Sequence, residues 1–515
     1  NSLKYFPVLF VSSPHIEAGV SGTFPGEPTP LLYATAVLDR LIRLDEFPSL
    51  KTPDIKAVLN PPAYTMEFEE ELLRLVIQIR PRVVGVSNLS EGHYYALRIL
   101  KLIKSVSPET ITIFGGAHED GTNPEVYRRL AERTQSQRSM RLGRAAMAQD
   151  LYEFTSHELA TLETLRTLAT TEEKQIIDFV VCGDAPYILM ELMKFIADNP
   201  HAAASELKRI IRKEQAIFQK LDGSGELFFY EPGTDSVEGI RISGRPLDRN
   251  RIPFIFRGRL THENRFPIFN NQKTAQVMAC FGCKYVCEFC YESADQMLYE
   301  VPKLQPRTSQ NVIKELDLLW ELGYEAVFFD DSTFTQSRRD VACLLECMIE
   351  RKRALGRYFE WGCQTTINDV TRELLQKMVE AGCTYIYFGL EQKMPPPDEV
   401  QKVRQLKVIT KEGDWAQQFR NVGGWCKETG IRVGVSLQFG LGESAKEWSA
   451  TIDFVAEMYR RGYIAPHSVA LNINAPYPGT VEWIRLLKRG ESLPDYRIKL
   501  VRHPQFETAH QFGML

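Results

Sequence analysis

The 515 residues contain no run of 18 apolar residues, so no helical membrane span is expected. There is no excess of one charge either. Lys and Arg total 62 against 66 Asp and Glu, a net charge of −4, which leaves no basic field to gather nucleic acid. The ten cysteines do not form the spaced pairs of a disulfide-stapled secreted chain. Cys182, Cys363, Cys383 and Cys426 are scattered, and Cys343 and Cys347, four apart in VACLLECMIE, read as an apolar helical face. The opening KYFPVLFVSSP has too brief an apolar run and no small-residue cleavage site for a leader, so it reads as a first strand. A soluble cytoplasmic protein of more than one domain is expected.

What is present is a pair of strand–helix arrays. The first covers residues 1–200. Apolar runs such as YFPVLFVSS, IKAVLN, VVGVSN, TITIFGG and IIDFVVCG alternate with amphipathic stretches such as EFEEELLRLVIQIR and HYYALRILKLIKSV. Continuous apolar strands separated by helices indicate a parallel sheet covered on both faces, hence a doubly wound α/β domain. A ligand then belongs beyond the carboxyl ends of the strands. Those ends carry Ser12 to Gly19, then Ser87, Asn88 and Leu89, then Gly115, Gly116 and His118, and finally Gly183 and Asp184. Tight turns explain one such end; four in one array point to a platform for a bulky ligand. An arginine-rich insertion with helical character interrupts the array at about 128–175. Residues 201–270, with a short hairpin and the Arg- and Pro-rich RPLDRNRIPFIFRGR, read as a linker.

The second array, residues 271–490, begins at VMACFGCKYVCEFCYES. Cys283, Cys287 and Cys290 are spaced C-x3-C-x2-C, which one tight loop can present. Three such thiolates can hold three irons of a [4Fe–4S] cluster and leave the fourth iron open to a substrate. Cys280 extends the pattern to four cysteines, and four thiolates could hold zinc, although structural zinc sites usually place their cysteine pairs farther apart. The strands expected here are QVMAC, AVFFDD, FEWGCQT, YIYFGLE, RVGVSLQFG and SVALNINAP, with helices between them. Six such units make a partial (β/α)6 TIM-like barrel, in which chemistry gathers at the carboxyl ends of the strands. Residues 491–515 form a tail.

With Phe289 before the last cysteine, C-x3-C-x-aromatic-C resembles the signature of radical SAM enzymes. The segment order of residues 5–200 resembles the Rossmann-like cobalamin-binding domain that precedes the barrel in one subclass of that family. The resemblance implies a [4Fe–4S] cluster, S-adenosylmethionine and cobalamin as cofactors. Thiolate clusters reach potentials as low as roughly −700 mV, low enough to reduce a sulfonium. It further implies that Asp330 and Asp331 accept from the SAM ammonium, and that Gln364 and Glu391 help hold SAM. Gly440 and Gly442 would form the adenine-side turn, and Gln392 stands where the family usually has serine. The corrin would lie against Ser87–Leu89, Gly115–His118 and Gly183–Asp184. The family's cobalt-ligating D-x-H-x-x-G is absent: SSPHIEAG has Ser13 before His15, and glycine four residues after it, so cobalt without a protein histidine is expected.

The implied activity is methyl transfer to a substrate carbon radical, with a radical cyclase of tetrapyrrole type as the alternative. A tRNA methylthiotransferase would need a further cysteine-rich domain, and an inactive cobalamin sensor would not need the intact triplet. A small-molecule or peptide substrate and a flavodoxin or ferredoxin reductant are the expected partners.

Overall fold

In the computed structural model, the protein is described over residues 5–13, 29–43, 52–61, 64–88, 92–116, 126–130, 154–158, 171–184, 186–230, 237–263, 265–391, 415–440, 443–466, 468–474 and 476–493, with 132, 160 and 496 besides. Leu89, His118, Gly442, His15, Gln392, most of the 128–175 insertion and residues 497–515 lie outside the described residues.

The first sheet comprises β1 (Tyr5–Ser12), β2 (Thr52–Leu59), β3 (Val83–Ser87), β4 (Ile111–Gly115), β5 (Phe179–Asp184), β6 (Ser224–Tyr230) and β7 (Val237–Ser243). Its order is β2-β1-β3-β4-β5-β6-β7. The strands β1 to β5 pair in parallel, whereas β6 and β7 are antiparallel. The hairpin expected within the linker is thus the edge of this sheet. Chain order reverses between β1 and β3, where a doubly wound sheet places its ligand crevice. Backbone bonds tie that point together: Ser13 N–H donates to Ser87 O at 2.9 Å, and Asn88 N–H to Gly115 O at 3.0 Å.

Strand alternation gives this sheet two apolar faces. Val8, Phe10, Val83, Ile113 and Phe179 pack under the helices Thr29–Arg43, Pro186–Asp198 and Ala204–Lys213. Leu9, Val11, Val84, Val86 and Phe114 pack under Met66–Ile79 and His93–Val106. Helix Met66–Ile79 starts where Thr65 caps Phe68 N–H, with Glu67 and Glu69 in its first turn, and ends at Arg80 in the left-handed region (φ 48°).

The second sheet holds β8 (Arg265–Phe266), β9 (Gln272–Val277), β12 (Ala326–Phe329), β13 (Glu360–Thr365), β14 (Cys383–Glu391), β15 (Arg432–Phe439) and β16 (Val469–Ile473). A separate two-stranded ribbon, β10 (Cys280–Phe281) with β11 (Gln305–Pro306), carries the start of the cysteine loop. The sheet order is β16-β15-β14-β13-β12-β9-β8, and all its strands but β8 run parallel. This is the expected six-unit partial barrel. Val327, Phe329, Trp361, Cys363, Ile386, Phe388, Val433 and Val435 face the surrounding helices. The alternate positions, among them Gln364, Tyr387 and Ser436, face the other side.

The two arrays share a core. Ala294, Leu298 and Tyr299, just after the cysteine loop, and Trp483, Ile484 and Leu487 pack into the second face of the first sheet. The helix Tyr291–Leu298 has Cys290 as its N-cap residue, so the last cysteine sits where the barrel meets the first sheet.

Candidate functional site

The cysteine loop leaves the end of β9 and is held at several points. Gly282 adopts a left-handed backbone (φ 84°), and an added Cβ there would run into Lys303 O. Gln336 grips the loop from both sides: its Nε2 donates to Gly282 O at 2.9 Å, and its Oε1 accepts from Lys284 N–H at 3.0 Å. Lys284 Nζ pairs with Asp369 at 2.5 Å, and the Tyr285 hydroxyl donates to the other Asp369 oxygen at 2.8 Å. Burial, then that hydrogen bond, holds the Tyr285 phenol well above its usual range. Gln296 Nε2 donates to Cys283 O at 2.9 Å, and Cys290 N–H to Cys287 O at 3.2 Å. The Thr333 hydroxyl lies 3.6 Å from Cys283 Sγ.

None of the three cysteines is in a disulfide; Cys283 and Cys287 are buried and Cys290 is half-buried. No three His, Cys, Asp or Glu side chains among the described residues converge on a single ion position. A zinc cage would need four ligands about one point, whereas a cubane spreads its thiolates around itself. Three buried or half-buried cysteines on one loop are a donor set of the kind that holds a cluster. Cys280 stands apart: it is buried in the ribbon, and burial, then the Asp331 charge, push its thiol up to about 12.

Of the adjacent aspartates that follow β12, Asp330 is half-buried. Asp331 was expected at the SAM ammonium, but it is fully buried and accepts from Ala279 N–H at 2.9 Å and Cys280 N–H at 2.6 Å. Both its oxygens thus fix the strand that launches the cysteine loop. Burial pushes its carboxyl up to about 7, against those two amides, which favour the ionised form. Gln364 is half-buried at the end of β13, and Glu391 is buried at the end of β14. Glu391 has φ 61° beside a register shift in the β14–β15 pairing. A left-handed glutamate is uncommon, and such strain gathers at functional sites. Gly440 ends β15 with φ 85°. Sequence reasoning did not single out Gln336, Asp369 or Tyr387; no motif marks them, though Tyr387 alternates in phase with Gln364 across paired strands.

At the first sheet, Asn88 is buried, its amide nitrogen 3.1 Å from His93 Nδ1, while Asn88 Oδ1 is buried with no hydrogen-bond partner among the described residues. An orphaned acceptor at the crevice fits a ligand rich in amide donors, as a corrin periphery is. The glycines there serve the protein itself. An added Cβ would meet Val181 O at 2.7 Å from Gly115, Asn88 O from Gly116, and Ser224 O at 2.6 Å from Gly183. Asp184, expected against the corrin, instead pairs with Arg249 and accepts from Gln305 at 3.5 Å. Arg249 also donates to Gln305 at 3.0 Å and lies over the Phe281 ring at 4.2 Å. The end of β5 is thereby wired to the residue two before Cys283.

An α/β protein with a three-cysteine loop at the mouth of a partial parallel barrel, fused to a doubly wound sheet, is the class defined by this geometry. Residues 278–455 match the Radical SAM superfamily, and the chain carries a radical SAM domain. It is 23% identical over 441 residues to an uncharacterized methyltransferase of Pyrococcus horikoshii, covering 84% of this chain and 74% of that one. It is 20% identical over 348 residues to the anaerobic magnesium-protoporphyrin IX monomethyl ester cyclase of Rubrivivax gelatinosus, covering 66% of this chain and 50% of that one. Among solved structures it resembles TsrM from Kitasatospora setae, a radical S-adenosylmethionine methyltransferase solved with cobalamin and a [4Fe–4S] cluster. The TM-score is 0.59 at 15% identity, over 94% of this chain and 78% of that one. At that identity the likeness is one of fold.

Proposed function

We propose that the protein is a cobalamin-dependent radical SAM methyltransferase acting on a small-molecule or peptide carbon. The observation that carries this is the junction itself: the cysteine loop opens where the barrel mouth adjoins the strand ends of a doubly wound sheet. When bound, the cluster and SAM supply an adenosyl radical, and cobalamin supplies a methyl group. Cys283, Cys287 and Cys290 hold the cluster, with half-buried Phe289 as the aromatic position of the same loop. Asp330, Gln364, Glu391, Gly440 and Gly442 bind SAM, whereas Asp331 positions the loop through its two amides. Ser87, Asn88, Leu89, Gly115, Gly116 and His118 line the corrin crevice, without a histidine on cobalt, and Gly183 and Asp184 link it to the barrel. Tyr387 joins Gln364 on the barrel's inner side, where substrate is oriented. The reductant is a flavodoxin or ferredoxin, and the setting is the cytoplasm.

The cyclase relative favours a second reading, ring closure without methyl transfer. Anaerobic reaction with methyl-labelled SAM distinguishes the two. Label in the product, with release of 5′-deoxyadenosine that Cys287→Ala abolishes, is expected. An unlabelled cyclised product overturns methyl transfer, and purified protein that holds zinc and no corrin overturns both readings.

A further inference from the structure

Glu288, which follows Cys287 directly in the loop, is a buried carboxylate. Its carboxylate meets Arg485 through two hydrogen bonds, Nη1 to Oε2 at 2.7 Å and Nη2 to Oε1 at 2.9 Å. The partners are 197 residues apart in sequence, and neither side chain is more than a tenth exposed. Arg485 also holds Glu482 at 2.7 Å, and Glu482 N–H reaches Glu288 O at 3.4 Å. The helix that carries them, Val481–Lys488, is itself pinned to the first array. Trp483 stacks on Tyr127 with centroids 5.8 Å apart, Lys488 pairs with Glu158 at 3.2 Å, and the same ammonium lies 4.8 Å over the Phe154 ring. The other charge on the loop, Lys284, has its own partner in Asp369. Arg485 thus offsets Glu288 while sharing its charge with Glu482.

We propose that Glu288–Arg485 is a charge-balancing latch. Arg485 neutralises the carboxylate that the loop buries beside its cysteines, and so sets how readily the cluster held by Cys283, Cys287 and Cys290 takes up an electron. Through the same pair, the helix Val481–Lys488 ties the loop to the first array. The inference rests on the cluster assignment above. Its physics is direct: a reduced cluster carries one more negative charge, so a net positive neighbour favours reduction and a net negative one opposes it. Bidentate geometry and burial make the pair a fixed neighbour, unlike a solvated side chain.

The test is an EPR-monitored redox titration of the full-length, anaerobically reconstituted protein, with iron and sulfide counted for each variant. Glu288→Gln removes one negative charge beside the loop, leaving Arg485 with Glu482 alone, and is expected to raise the midpoint potential. Arg485→Met leaves the carboxylate and is expected to lower it. Arg485→Lys keeps the charge and is expected to stay near the parent value. A purely structural role would move Glu288→Gln and Arg485→Met the same way, or neither; either result at full iron content overturns the proposal. Should Arg485→Met fail to fold, Glu288→Gln still decides it, since an unshifted potential there is enough to reject the latch. Hydrogen exchange on the cluster-free protein reads the mechanical half. Glu288→Gln is expected to speed exchange in the loop and in helix Val481–Lys488 together, and faster exchange in neither overturns that half. Parent protein that takes up no iron and sulfide would reject the cluster assignment instead.

Discussion

The two parallel sheets are built from the same strand–helix repeat but use their faces differently. In the first, neighbouring residues on one strand, such as Ile113 and Phe114, are both buried, each in a different apolar cluster. In the second, Phe388 is buried against helices while Tyr387 and Gln364 turn to the other side with Ser436 and Asn472, whose amide donates to the Ser436 hydroxyl at 2.9 Å. A sheet covered on both faces can offer a ligand only its strand ends. A partial barrel frees one face for polar groups. The first array is thus mainly a platform, and the second divides each strand between folding and chemistry.

Paired truncations test that division with the largest effects. Ile113→Ala and Phe114→Ala should each cost about 2–5 kcal/mol, because both leave cavities in packed cores. Phe388→Ala should cost about 3–5 kcal/mol, whereas Gln364→Ala should stay within about 0.5 kcal/mol. Urea midpoints of the four variants read this, and a Gln364→Ala loss equal to that of Phe388→Ala would erase the contrast.

A smaller effect comes from buried carboxylates, which the two arrays treat unlike. Asp178 in the first accepts from Thr112 N–H at 2.9 Å and pairs with Lys104 at 2.7 Å. Asp331 in the second rests on two backbone amides and has its carboxyl raised from 3.8 to about 7, chiefly by burial. Between those values the folded protein holds a proton that the unfolded chain has released. Stability is therefore greatest below pH 4 as far as this group is concerned, and falls as pH rises to about 7, by at most about 4 kcal/mol. Thermal unfolding of the cluster-free protein across that window should show the decline, and Asp331→Asn should flatten it. An unchanged slope in the variant would assign the decline to other groups.

These contrasts also mark what the sequence could reveal. Period and composition were enough to expect both sheets, because short apolar strands such as VVGVS and YIYFGLE recur between amphipathic helices. The cysteine loop was legible because its members are local. The roles of Asp330 and Asp331 were read as equivalent, although alternation along AVFFDD already puts them on opposite sides. The hairpin of β6 and β7 was visible, but its pairing with β5 was not, since edge addition leaves no local signal. Glu288–Arg485 and Asp184–Arg249 were hidden for the same reason: each joins segments far apart in sequence.

The smallest effect expected concerns Glu391, where the second sheet departs most from regular geometry. Its left-handed backbone costs a non-glycine residue about 1–2 kcal/mol, and no strand of the first sheet holds a non-glycine residue with positive φ among the described residues. Strain at a barrel strand end is tolerated where the side chain is needed. Glu391→Gly should then gain up to about 1 kcal/mol in thermal unfolding, while SAM affinity of the cluster-loaded protein, read by calorimetric titration, falls about tenfold or more, as losing one or more hydrogen bonds to a charged group implies. Glu391→Gln keeps the strained backbone and removes the charge, so it separates the two effects: affinity should fall without the gain in stability. If both variants bind SAM as the parent does, the strain has no cofactor role, and the inner face of the barrel loses its claim at that strand.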